Sequence, residues 1–128
     1  MRGLVLDTSV WIEYFRANPT YFDNCQELLE NGFVATLDVI FAELMQGAKG
    51  KREIQLINGY YESIPKLDRT KLIFEAGLFA QNEGLINKGI GLIDSIIIYA
   101  TLTNNLQLWT LDKKIIKYLD NHYLFHPA

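Results

Sequence analysis

The sequence predicts an α/β sandwich built around a small parallel sheet. Three observations carry that reading. Residues 3–6 and 106–111 are short, mostly apolar runs that stop on an acid, Asp7 and Asp112, as strands buried on both faces do. The stretches between them are longer and repeat their apolar residues at helical spacing. Strand and helix alternate along the chain, the pattern of β-α units whose crossovers lay strands side by side in parallel. At 128 residues the chain fits one domain, 1–128, without room for a second.

Taken in order, residues 3–6 form a first strand and 9–16 a helix, which Asn18-Pro19-Thr20 breaks. Thr20 is placed to cap a second helix over 21–30, which Asn31-Gly32 stops. Residues 33–35 make a second strand, and 36–46 a helix closed by Gly47. A short helix follows over 53–61, then an extended piece at 63–65. Asp68 or Thr70 opens the longest helical stretch, with Leu72, Phe74, Ala76, Leu78 and Phe79 on a broad apolar face up to Gly84. Residues 89–91 are loop. Residues 92–103 are so apolar, apart from Asp94, Ser95 and two threonines, that they predict a central buried helix. Strand 106–111, helix 113–119 and a last short strand at 123–125 complete the chain.

Composition bounds the function. About half the residues are apolar (49%), ordinary for a globular core, and the longest apolar run is too short and too polar to cross a bilayer. The apolar opening stops at Asp7, too soon for a signal peptide, so the expectation is a soluble cytoplasmic protein. The lone Cys25 has no neighbour that would lower its pKa and reads as a small core hydrophobe. The net charge of −3 sits awkwardly with nucleic-acid binding, which a basic surface usually carries. Cations bound to carboxylates would offset it. Basic residues also gather at Lys49, Lys51 and Arg52, at Lys66, Arg69 and Lys71, and at Lys113, Lys114 and Lys117, although each group alone is an ordinary solvated face.

Four acids stand out. In an open parallel sheet, ligands collect beyond the carboxyl ends of the strands, where Asp7 and Asp112 are placed. Asp94 lies among Ile93, Ile96, Ile97 and Ile98, and Glu43 lies near the end of its helix among Phe41, Ala42, Leu44 and Met45. A buried carboxylate needs a partner, and a negative charge late in a helix gains nothing from the helix dipole. A divalent cation is one such partner. All-oxygen ligands suit Mg2+ or Mn2+, and His122, His126 and Cys25 make no zinc set. Ser9, Thr8 and Thr110 could hydrogen-bond the carboxylates from behind. Each acid also has a plainer role open to it: Asp7, Asp94 and Asp112 as helix caps, Glu43 reaching a surface lysine. Spacing alone does not show that the four meet.

The motifs resemble those of PIN domains, especially VapC-type toxins of toxin–antitoxin systems. Leu4-Val5-Leu6-Asp7-Thr8-Ser9-Val10-Trp11-Ile12 is similar to their opening motif, and residues 36–47 with Glu43-Leu44 and Gly47 to their second. Ile93-Asp94-Ser95, leading through Ala100 and Thr101 to Leu108-Trp109-Thr110-Leu111-Asp112, is similar to the third and fourth. The resemblance covers essentially the whole chain and is least clear over 49–88. It implies a small parallel sheet flanked by helices on both faces. Asp7, Glu43, Asp94 and Asp112 would carry one or two Mg2+ or Mn2+ ions, with Thr110 and Thr8 or Ser9 supporting them. The implied activity is endonucleolytic cleavage of RNA by activated water, leaving a 5′-phosphate and a 3′-hydroxyl. A homodimer and a cognate antitoxin are the implied partners. Trp11, Tyr14, Phe15, Tyr60 and Tyr61 could line a partner surface, with core packing as the other role.

Three other readings remain open. A PIN nuclease of RNA processing or decay would share every motif. A phosphorylation receiver needs adjacent acids after its first strand and a late lysine, where this chain has Thr8-Ser9 and Asp112. A metal-free binding module would use the acids only as caps and surface charges.

Overall fold

The computed structural model describes residues 2–127. Three parallel strands, β1 (Leu4–Leu6), β2 (Val34–Ala35) and β3 (Gln107–Trp109), form a sheet in the order β2-β1-β3. Leu4 stands opposite both Val34 and Gln107, and Leu6 opposite Trp109. Single bridges, Thr36 with Lys66 and Leu108 with Leu124, extend the two edges. All three β1 side chains are fully buried, which requires cover on both faces of the sheet. Seven α-helices among the described residues provide it: α1 (Thr8–Phe15), α2 (Pro19–Glu30), α3 (Asp38–Gln46), α4 (Lys51–Ser63), α5 (Leu72–Glu83), α6 (Leu92–Thr103) and α7 (Lys113–Tyr118). The predicted small parallel sheet flanked by helices is the fold observed.

Local chemistry explains where the elements begin. Asp7 caps α1 by accepting from the Thr8 N–H, and Asp112 caps α7 by accepting from those of Lys114 and Ile115. The second helix starts earlier than its pattern predicted. Pro19 occupies the first helical turn, so Asn18 rather than Thr20 is the cap, and it accepts from the Thr20 N–H. The α5 helix starts later than Asp68 or Thr70, because Lys71 takes a left-handed conformation (φ 70°) that no helix can include. Asp68 instead accepts from the Asp38 N–H at 3.0 Å, beside the start of α3. The expected last strand reduces to the one bridge at Leu124, with Tyr123 in a 3-10 turn.

The core runs from the sheet into two flanking groups of helices. Trp11 is wholly buried, with the rings of Tyr14, Phe15, Phe41 and Tyr60 at 5.1–6.0 Å. Those aromatics pack the core, and Tyr14 and Tyr60 join their hydroxyls at 2.6 Å. Cys25 is buried too, and burial pushes its thiol up to about 12. On the other side α6 buries Ile96, Ile97, Ile98 and Ala100 against β3 and α5. Its hydroxyls are satisfied internally: Ser95 donates to the Gly91 carbonyl and Thr101 to that of Ile97. No helix among the described residues is long and apolar enough to cross a membrane.

Candidate active site

Parallel pairing sets the site at one edge of the sheet. The Asp7 N–H donates to the Trp109 carbonyl at 2.9 Å, so the residues leaving β1 and β3 emerge side by side. Thr110 Oγ1 thus reaches Asp7 Oδ2 at 2.6 Å, and it also accepts from the Asp112 N–H at 3.1 Å. Ser9 Oγ donates to Asp7 Oδ2 at 3.4 Å and accepts from the Leu111 N–H at 3.3 Å. Both connections leaving the sheet are thereby stitched to one carboxylate. Asp7 is itself buried, and every donor to it is neutral. Burial pushes its carboxyl above the usual 3.8, against the lowering pull of those hydrogen bonds and with a further push from Asp112.

The other two acids arrive from helices. Glu43, on α3, accepts from Thr8 Oγ1 at 2.7 Å, which ties it to the residue after Asp7. It makes no ion pair among the described residues, so the lysine partner open to it from sequence is not what holds it. Asp94 sits in the first turn of α6 without capping it; the capping position belongs to Gly91. Its carboxylate makes no hydrogen bond among the described residues. Burial first, and then the charges of Asp7, Asp112 and Glu43, together raise it to about 6, with Lys114 pulling the other way. The fold therefore brings all four acids within electrostatic reach of one another, and capping accounts for only Asp7 and Asp112.

The donor chemistry fits a hard divalent cation. The acids supply only oxygens, Asp94 lacks any donor, and Asp112 spends Oδ1 on the α7 cap while leaving Oδ2 free. Among the described residues no three such side chains are grouped closely enough to hold an ion as they stand. Four like charges keep apart when nothing neutralises them. Glu43, Asp94 and Asp112 are only partly buried, so an ion could reach them from solvent.

Beside Glu43 a groove of about 290 Å3 opens between α1, α3 and α4. Ile12, Phe15, Leu44 and Leu56 supply its apolar lining, Arg16 and Lys49 its positive charges, and Glu43 and Glu53 its negative ones. Phe15, a member of the core aromatic group, thus also faces this groove.

Residues 4–120 match the family model described as PIN domain. The chain belongs to the PIN-domain family. PIN domains are nucleases, hydrolases of phosphodiester bonds, that in general use divalent metal ions. Solved structures share the fold. One is the crystal structure of VapBC2 from Rickettsia felis bound to a DNA fragment from their promoter, at TM-score 0.69 and 24% identity over 94% of this chain and 95% of that one. Another is a toxin–antitoxin complex from Klebsiella pneumoniae, at TM-score 0.68 and 19% identity over 96% and 100%. No curated protein matches the sequence. In this PIN domain, sequence motifs had already singled out Asp7, Glu43, Asp94, Asp112, Thr110, Thr8 and Ser9. They gave no reason to separate Lys114 from its exposed neighbours, and only its placement in the fold does so.

Proposed function

We propose that this PIN domain is a Mg2+- or Mn2+-dependent endoribonuclease of the cytoplasm and the toxin of a toxin–antitoxin pair. The observation that carries the reading is Asp94, a partly buried carboxylate without a donor that faces three further acids at the carboxyl edge of a parallel sheet. Asp7, Glu43, Asp94 and Asp112 would hold one or two ions. A bound ion supplies a Lewis acid that polarises the phosphodiester and lowers the pKa of the attacking water. The chain's own part is to hold its ligands in place. Thr110 and Ser9 fix Asp7, Thr8 fixes Glu43, and the α7 cap fixes Asp112. In the overall step, the water oxygen bonds to phosphorus and the bond to the 3′ oxygen breaks. The products are a 5′-phosphate and a 3′-hydroxyl.

Toxin character rests on the likeness of fold to partners in toxin–antitoxin complexes and on the motif resemblance. The groove ending at Glu43 offers an antitoxin segment a seat beside the site. A second copy of the chain fits elsewhere. Ile73, Phe74, Leu78, Ile86 and Leu92 expose 55–83% of their surface along α5, the turn after it and the start of α6, and apolar side chains exposed in this way suit a protein contact.

Induced expression of the chain tests the proposal. It should arrest growth and produce new RNA ends bearing 5′-phosphates, and Asp94→Asn should do neither. New ends without arrest would make the protein a processing nuclease. Arrest without new ends would remove the nuclease reading.

A further inference from the structure

Among the lysines near the site, Lys114 is held differently from the rest. Its backbone N–H donates to Asp112 Oδ1 at 2.8 Å, which ties its position to one of the four acids. Its side chain lies across Gly89, in the loop leading to α6. A Cβ at position 89 would stand 3.1 Å from the lysine Cδ and 3.3 Å from both Cε and Nζ. Gly89 also has φ 77°, so a glycine serves here both for its backbone and for the space it leaves. The ammonium is thereby parked beside the segment that carries Asp94, and Asp94 registers its charge. Yet Lys114 Nζ makes no ion pair and no hydrogen bond among the described residues.

A flexible lysine beside four carboxylates would ordinarily fold onto one of them. This one is kept at the rim, charged and unpaired, where a polyanion bound across the acids would meet it. The other candidates lack that combination. Lys88 donates to the Glu83 carbonyl and faces the Tyr118 ring. Lys113 and Lys117 are exposed as Lys114 is, but the three atoms nearest a Cβ at Gly89 all belong to Lys114.

Resting on the nuclease reading of the site, we propose that Lys114, laid over Gly89, binds a backbone phosphate of the substrate strand and sets where that strand lies across the acidic cluster. The contact is a point charge on a phosphate oxygen and reads no base, so it contributes affinity and register without sequence preference.

The test is binding of a short single-stranded RNA of mixed sequence, with Ca2+ in place of Mg2+, over a series of salt concentrations. Lys114→Gln should weaken binding roughly three- to tenfold at low salt and flatten the slope of log affinity against log salt by about 0.7, the loss of one phosphate contact on a single strand. Lys114→Arg should retain both values, and Lys113→Gln should change them much less. Equal slopes for wild type and Lys114→Gln, or equal effects of Lys113→Gln and Lys114→Gln, would overturn the proposal, as would the absence of RNA binding by the wild type. Cleavage of the same RNA with Mg2+ separates the two levels. Cleavage with no special effect of Lys114→Gln sinks only the lysine, whereas neither cleavage nor binding sinks the nuclease reading as well.

Discussion

Replacing Asp94 by asparagine should stabilise the metal-free protein at neutral pH. The wild-type carboxyl is raised from 3.8 to about 6 by burial and by Asp7, Asp112 and Glu43. Between those two pH values the folded chain holds a proton that the unfolded chain has released, so the group favours folding at low pH. That advantage is lost as pH climbs to about 6, and stability is flat in this respect above it. A rise of roughly two units corresponds to about 3 kcal/mol at full weight. Solvent reaches part of Asp94, and screening brings the effect down to about 1–2 kcal/mol. Asparagine removes the charge at every pH and breaks no hydrogen bond among the described residues. Thermal and urea unfolding in EDTA, from pH 4 to 8, would measure it. For a domain of this size the variant should melt roughly 3–10 °C above wild type at pH 7, and the gap should close towards pH 4. Adding Mn2+ should reverse the order, because the ion stabilises only the chain that holds it. A variant no more stable than wild type at pH 7, with a parallel pH profile, would refute the claim that four carboxylates repel one another at this edge.

Thr110→Val removes the 2.6 Å donor to buried Asp7 and should cost about 1–3 kcal/mol at pH 7, read by urea unfolding. It should also lower Mn2+ affinity roughly 10–100-fold by calorimetry. Protons compete with metal at Asp94, so Mn2+ affinity should hold steady above pH 6 and fall as pH drops below it, by up to about tenfold per unit from this group alone. A flat titration from pH 5 to 7 would remove Asp94 from the ligand set. Phe74→Glu places a charge in the apolar exposed surface of α5 and should convert a dimer into a monomer in size-exclusion chromatography with light scattering. An unchanged mass would move the dimer contact elsewhere.

Much of this could be read from the sequence because the relevant physics is local. Three apolar residues followed by Asp7 and a hydroxyl pair specify a buried strand that turns directly into a capped helix, and that is what forms. The run from Ile96 to Ala100 admits nothing but burial. The elements that shifted were decided by backbone conformations that apolar spacing does not record. Pro19 moved a cap to Asn18, and the left-handed Lys71 delayed α5. The last expected strand, over 123–125, pairs only through the bridge of Leu124 with Leu108, because Tyr123 is taken up in a 3-10 turn. At the site, spacing gave each acid a separate excuse, and only the fold tells them apart. It places Asp94 off the cap and turns Glu43 towards Thr8. Lys114 was one basic residue among three until its side chain was seen to lie on Gly89, a contact 25 residues apart in the chain and invisible to any local pattern.

The most direct measurement is cleavage of a mixed RNA pool by the purified chain with Mg2+ or Mn2+, alongside EDTA and Asp94→Asn controls. The account predicts discrete products bearing 5′-phosphates from the wild type, and none from either control. Cleavage that survives both EDTA and Asp94→Asn, or no cleavage together with no calorimetric Mn2+ binding, would contradict it.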